Sequence, residues 1–305
     1  RPVQPLINSL TDLGAQGFTT QNNGSPPLVI RGPLKGGNTE IKCHTSQYLS
    51  ALLITLPLMR QDSVVYTPVL NERPYVEMTL KWLEDMRVYA EVKEGNLFFI
   101  GGRHKYKGFG EKQIPADYSS ATFLFCAAAI TGGSVTVQGL DPEDPQGDKR
   151  VLNILAKMGC SVMWDNWDVT VKGGILKGTE IDMNDIPDAL PALAVTAAFA
   201  EDNTTLYNVE HARLKETDRI TAMCQEMRKL GITVDEQTDG LIIFGGKKPT
   251  EGTVNSRGDH RIAMAFAIAA LGARGPVEIQ NAGAVSITYP SFFTVLDQLT
   301  GGTAK

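Results

Sequence analysis

Seven consecutive residues, RLKETDR from Arg213 to Arg219, carry three cations (Arg213, Lys215, Arg219) and two carboxylates (Glu216, Asp218). Lys215 and Arg219 stand four positions apart, so on a helix they would share one face and clamp one anion. Glu216 stands one step round, where it could balance their charge. A second concentration is GDHR, in which Asp259 precedes His260 and Arg261. It offers a carboxylate able to cap a helix, an imidazole that titrates near neutrality and a planar guanidinium fork suited to carboxylate or phosphate. A third is IPDALPALAV, where Asp188 follows Pro187 at the start of an apolar helix. Such a carboxylate is either a plain N-cap or, facing a cleft, a general base. A fourth is Thr45-Ser46-Gln47, the polar opening of another apolar helix, where unpaired N–H groups and the positive dipole end make a ready anion site. Together these residue types point to binding of small anions coupled to proton transfer. The competing reading of the charge run is a solvated, salt-bridged helix face. It is weakened because the helix that follows, ITAMCQEMRKLG, already carries ample solvated charge.

The elements that must position these residues form an internal repeat. Amphipathic helices followed by a strand start at Leu6, Thr79, Val151 and Met223, a period of about 72 residues. In three of them Gly falls where a helix C-cap needs positive φ, and in the second Arg87 stands there. Between them lie helices that are apolar nearly all round, starting at Thr45, Ser119, Asp188 and Asp259. A helix of that kind must be buried, here beneath sheets. Short β-like runs (VTVQGL, DVTVKG, TTLYNV, LIIFGG, GPVEIQN) fill the intervals. The expected unit is βαββαβ, repeated roughly four times, with the chain starting inside one unit. Polar first turns recur at the buried helices. If several converge, they form a cleft for phosphate or carboxylate.

With 305 residues, 42% hydrophobic and 21% charged, the composition is that of one large or two smaller globular domains. The net charge of −5 argues against a nucleic-acid partner but not against a local basic pocket for a small anion. Cys43, Cys126, Cys160 and Cys224 are far apart and form no C-x-x-C pair. Three of the four lie in apolar runs typical of buried free thiols, which fits a reducing cytosol, and zinc ligation or a redox motif is not expected. No apolar run approaches the ~20 residues of a membrane span. The N-terminal RPVQPLINSL lacks the sustained apolar core of a signal peptide.

Taken in order, TSQYLSALL, RPYVEMTL, SSATFLFCAAAITGG, QGD, IPDALPALAV, RLKETDR and GDHRIAMAFA resemble the 5-enolpyruvylshikimate-3-phosphate synthase family along nearly the whole chain. The resemblance implies a mixed α/β (α+β) enzyme of the two-domain enolpyruvyl transferase fold, an inside-out α/β barrel whose domains face across a cleft. It implies that residues 1–114 correspond to the latter part of the upper domain and 115–305 to most of the lower one. It further implies that roughly the first 120 residues of a family member are absent, with several substrate-binding residues among them. The family joins phosphoenolpyruvate to the 5-hydroxyl of shikimate 3-phosphate through a tetrahedral adduct and expels phosphate, without a metal or organic cofactor.

By the same resemblance Asp188 is the acid–base group at the 5-hydroxyl, and Glu216 and His260 serve proton transfer at the vinyl carbon. Thr45, Ser46, Gln47, Tyr75, Lys215 and, more weakly, His211 contact shikimate 3-phosphate. Gln47, Arg219 and Arg261 reach phosphoenolpyruvate. Two positions depart from the family pattern. Glu72 stands where Ser is common, so it either points away from the phosphate or alters that subsite. Ile287 stands where a lysine is usual, and no lysine lies between Lys248 and Lys305. The expected partners are these two small molecules, with neither nucleic acid nor membrane. The chain is expected as a cytoplasmic monomer, or paired with a chain supplying the absent part. The alternatives are a UDP-N-acetylglucosamine enolpyruvyl transferase, or a truncated or split chain that binds substrate without turnover.

Overall fold

Short strands and helices alternate along the computed structural model, which describes residues 2–301. Two compact units result, one from the residues up to Ile114 with Pro145–Gly147, the other from Pro115–Asp144 with the residues from Asp148 onward.

The first unit runs α1 (Gln4–Asp12), β1 (Gln16–Thr19), β2 (Leu28–Arg31), β3 (Gly37–Glu40), α2 (Gln47–Thr55), β4 (Ser63–Tyr66), α3 (Arg73–Asp85), β5 (Ala90–Lys93) and β6 (Leu97–Ile100). β1 and β2 form an antiparallel pair, and the remaining strands form a sheet in the order β3-β4-β6-β5. β3 and β4 are parallel, and α2 crosses between them. Leu49, Leu52 and Leu53 of α2 are buried with Val65 of β4, Val76 and Leu83 of α3, and Phe98 and Ile100 of β6.

The second unit runs α4 (Tyr118–Thr131), β7 (Ser134–Val137), α5 (Arg150–Lys157), β8 (Ser161–Asp165), β9 (Asp168–Lys172), β10 (Glu180–Asp182), α6 (Leu190–Ala197), β11 (Thr204–Tyr207), α7 (Arg219–Lys229), β12 (Val234–Gln237), β13 (Gly240–Ile243), β14 (Gly252–Asn255), α8 (His260–Ala270), β15 (Val277–Gln280) and α9 (Phe292–Thr300). Its sheets are β7-β9-β8, β10-β11-β13-β12 and the parallel pair β14-β15. α4, α6 and α8 pack against one another at the centre and against these sheets. Every residue of α6 is buried, which is why its sequence shows no polar face.

The sheets β3-β4-β6-β5 and β10-β11-β13-β12 have one topology: a parallel pair joined through the apolar helix, then the amphipathic helix, then an antiparallel hairpin. The repeat therefore reads strand, helix, strand, helix, strand, strand, which corrects the expected βαββαβ order. A single strand separates the two helices in each: β4 stands between α2 and α3, and β11 between α6 and α7. The repeat's turn chemistry holds at all four amphipathic helices. Gly14, Gly159 and Gly231 have φ of 100°, 110° and 75°, and Arg87 adopts the same left-handed region at 59°. All four cysteines are free and buried. Among the described residues no helix is long and apolar enough to cross a membrane.

Candidate active site

Three helix starts of the second unit meet through side chains. Asp117 caps α4, accepting from the backbone N–H groups of Ser119 and Ser120 at 3.0 and 3.1 Å. Asp259 caps α8, accepting from the N–H of Arg261 at 2.8 Å. The 3₁₀ turn Pro187–Ala189 carries Asp188 into α6. Arg261 ties the three together: its Nη1 donates to Ser119 Oγ at 3.2 Å, and its Nη2 lies 3.1 Å from Asp188 Oδ2.

Arg219 is the hub. Its side chain is 1% exposed and donates to three carboxylates: from Nη1 to Asp188 Oδ1 at 2.6 Å, from Nη2 to Glu216 Oε2 at 2.8 Å and from Nε to Asp259 Oδ2 at 2.8 Å. A guanidinium stays charged on burial, and its planar fork suits several acceptors at once. Lys215 Nζ stands 3.8 Å from Asp188 Oδ1. Asp188 thus sits among three cations. Burial alone would raise its pKa, but Arg261, Lys215 and Arg219 together outweigh burial and hold the carboxyl well below the usual carboxylate range. The His260 pKa is lowered as well, which for an imidazole favours the neutral form. Burial, and then the Arg261 charge, lower its pKa against the opposing pull of Asp259, so the imidazole is neutral near pH 7. Its Nδ1 is buried with no hydrogen-bond partner among the described residues.

The opening charge run divides by role. Arg213 Nη1 donates to Asp218, Thr221 and Glu236, and its Nη2 donates to the Gln237 carbonyl at 2.7 Å, which staples the loop to β12. Lys215, Glu216 and Arg219 turn instead toward Asp188 or onto one another. They do so without sharing a helix face. α7 begins only at Arg219, because Asp218 accepts from the Thr221 N–H at 3.0 Å and caps it there. The expected i, i+4 arrangement of Lys215 and Arg219 is corrected accordingly: the two cations converge on Asp188 from a turn and a helix start. His211 is buried in the 3₁₀ segment Glu210–Leu214, which packs against the turn bearing Asp188.

In the first unit, Thr45 and Ser46 precede α2, and Gln47, its first residue, is exposed. Tyr75 is half-buried in the first turn of α3. Glu72 does not point away. Its Oε2 accepts from Thr45 Oγ1 at 3.2 Å, from the Ser46 N–H at 3.1 Å and from Ser46 Oγ at 2.9 Å. Ile287 is 72% exposed. Sequence reasoning treated Asp259 and Ser119 as helix openings only. The structure makes Asp259 a buried partner of Arg219 and Ser119 an acceptor for Arg261. Their position at the first turns of apolar helices was the available signal.

Comparison with known proteins follows the same pattern. Residues 1–296 match the family description "EPSP synthase (3-phosphoshikimate 1-carboxyvinyltransferase)". A 3-phosphoshikimate 1-carboxyvinyltransferase of Ruminiclostridium cellulolyticum is 47% identical over 292 residues, covering 96% of this chain and 69% of that protein. One of Acetivibrio thermocellus is 46% identical over 299 residues, covering 98% and 70%. The solved EPSP synthase of Acinetobacter baumannii superposes with a TM-score of 0.79 at 30% identity, over 98% of this chain and 70% of that one. The enolpyruvyl transferase NikO of Streptomyces tendae, at 19% identity and a TM-score of 0.75 over 100% and 72%, shares the fold. With matching motifs, topology and near-complete coverage of its length, the chain belongs to the EPSP synthase (3-phosphoshikimate 1-carboxyvinyltransferase) family.

Proposed function

We propose that the chain performs the family's reaction, transfer of the enolpyruvyl group of phosphoenolpyruvate to the 5-hydroxyl of shikimate 3-phosphate with release of phosphate, in the shikimate route to aromatic amino acids. The observation that carries the reading is the Asp188 carboxylate held by Arg219, Lys215 and Arg261, with Glu216 and His260 at the same cluster. The reaction needs anion-binding cations beside a base and a proton donor, and these residues are of those types.

In the proposed scheme the carboxylate and phosphate of phosphoenolpyruvate bind to Arg261 and Arg219. An incoming carboxylate would compete with Asp188 for those guanidinium N–H groups. Each cation drawn off Asp188 raises its pKa, so the base strengthens as the substrate arrives. Asp188 then takes the proton of the acceptor hydroxyl, whose oxygen attacks the substituted vinyl carbon. Glu216, which takes up a proton from solvent once phosphoenolpyruvate has drawn Arg219 away from it, delivers that proton to the methylene carbon and gives the tetrahedral adduct, with neutral His260 beside it. Loss of phosphate and of that carbon's proton restores the double bond. Lys215 and His211 serve the acceptor, as do Thr45, Ser46, Gln47 and Tyr75 of the first unit. UDP-N-acetylglucosamine, the acceptor of the alternative reading, is not the one that the names of the reported curated relatives carry. Four buried free thiols fit a reducing compartment, and the cytoplasm is the proposed location.

The test is a pair of near-isosteric variants. Asp188→Asn and Glu216→Gln are each expected to lower turnover by about 10²–10⁴-fold, with melting temperatures that do not track the loss. Near-normal turnover in either variant removes that residue from the mechanism.

A further inference from the structure

Glu72 is the N-terminal flank of α3, yet its carboxylate lies at the start of α2. Its backbone is in the left-handed region, φ 56° and ψ 39°, which few non-glycine residues adopt. The residue is 3% exposed. Its Oε2 gathers three donors: the hydroxyls of Thr45 and Ser46 and the Ser46 N–H. The adjacent guanidinium of Arg73 is directed to Glu77 and Asn96 instead. A helix start with two hydroxyls and an inward N–H suits an anion, and here the chain supplies that anion itself.

We propose that Glu72 is a specificity-determining residue: its carboxylate competes with the acceptor's phosphate for the donors of Thr45 and Ser46, and so weakens the preference for a phosphorylated acceptor over its unphosphorylated counterpart. The inference rests on the proposed reaction, in which Thr45 and Ser46 serve the acceptor. A phosphate placed on these donors stands beside a like charge, and two anions at this range repel each other. A hydroxyl in the same place faces no such conflict, because it can donate to the carboxylate while the two side-chain hydroxyls re-orient. Both groups bind here only as far as Glu72 permits, so selectivity is set by the charge at position 72.

The experiment is calorimetric titration of the full chain with shikimate 3-phosphate and with shikimate, in the wild type, Glu72→Ser and Glu72→Gln. The readout is the ratio of the two dissociation constants, which a purely structural role of Glu72 would leave unmoved. The wild type is expected to prefer the phosphorylated compound by less than about a hundredfold, and Glu72→Ser to widen that preference by at least about tenfold, the value of one charge-assisted hydrogen bond. Glu72→Gln, which keeps the shape and loses the charge, is expected to shift the ratio in the same direction by less. A ratio unchanged or narrowed in the folded variants overturns the proposal and leaves the proposed reaction intact. So does a wild type that already prefers the phosphorylated compound by more than about a thousandfold. Failure of folded wild type and variants alike to bind shikimate 3-phosphate overturns the proposed acceptor, and this inference with it.

Discussion

Arg219→Met removes the charge at the centre of the second unit while preserving most of the side-chain length. The guanidinium is 1% exposed and serves three carboxylates, of which Asp259 is fully buried. Asp259 would keep its N-cap bonds to the Arg261 and Ile262 N–H groups but lose the guanidinium that is ion-paired to it at 2.8 Å. Breaking a buried ion pair by removing one partner costs about 3–5 kcal/mol. For a unit of this size each kcal/mol moves the midpoint by roughly 2–4 °C, so a fall of about 6–20 °C is expected. The sign of the pH dependence follows from Asp188. Its folded pKa is depressed by Arg261, Lys215 and Arg219 against burial. Its contribution is therefore present above the unfolded carboxyl value of about 3.9 and is lost as pH falls through the folded value. Removing one of those cations shrinks that contribution at neutral pH and leaves less to lose in acid. The gap between wild type and variant should thus be widest near neutrality and narrow as carboxylates protonate. Calorimetric melting at neutral pH and near pH ~2.5, below the unfolded carboxyl value, measures it. A loss under about 1 kcal/mol at neutral pH, or a gap that widens in acid, would refute the assignment of Arg219 as the hub.

Two further outcomes follow from single residues. Arg87→Gly should stabilise the first unit by about 0.5–1 kcal/mol, because the left-handed C-terminal position of α3 costs a non-glycine residue roughly 1–2 kcal/mol, which exceeds the roughly 0.5–1 kcal/mol of extra backbone entropy that glycine loses; chemical denaturation that shows no gain would count against this. His260 should titrate below 6.5 in a nitrogen-detected NMR series, since burial and Arg261 lower its pKa. Its depressed value makes its contribution to stability present above about 6.5 and lost as pH falls through the folded value, and a midpoint above 6.5 would contradict the burial argument.

The local chemistry of this fold was legible in the sequence, and its long-range pairings were not. Gly14, Gly159 and Gly231 mark helix ends because only their own backbone needs positive φ, and Arg87 stands in register with them. The all-apolar α6 announces its burial by composition alone. The sheet order β10-β11-β13-β12 depends on which hairpin strand returns to the parallel pair, and no local preference encodes that. The site shows the same division. Asp188, His260 and Arg261 were recognisable as residue types at helix starts, and Glu216 as a carboxylate within the charge run. The bond from Arg219 to Asp259 spans forty positions and exists only once α7 and α8 are packed. The helix proposed through Lys215 failed for a local reason: Asp218 caps α7 three residues after Lys215 and prevents the helix from extending backward. Glu72 was noticed as a charge in an unexpected place, but the direction of its side chain rests on a left-handed backbone that its residue type does not advertise.

The most direct test of the account is phosphate release by the purified chain given phosphoenolpyruvate with shikimate 3-phosphate, compared with each substrate alone and with UDP-N-acetylglucosamine as the acceptor. The account predicts stoichiometric release of phosphate only when phosphoenolpyruvate and shikimate 3-phosphate are both present, abolished with either omitted and strongly reduced in Asp188→Asn. Release that requires UDP-N-acetylglucosamine instead, or none with any acceptor, would contradict it.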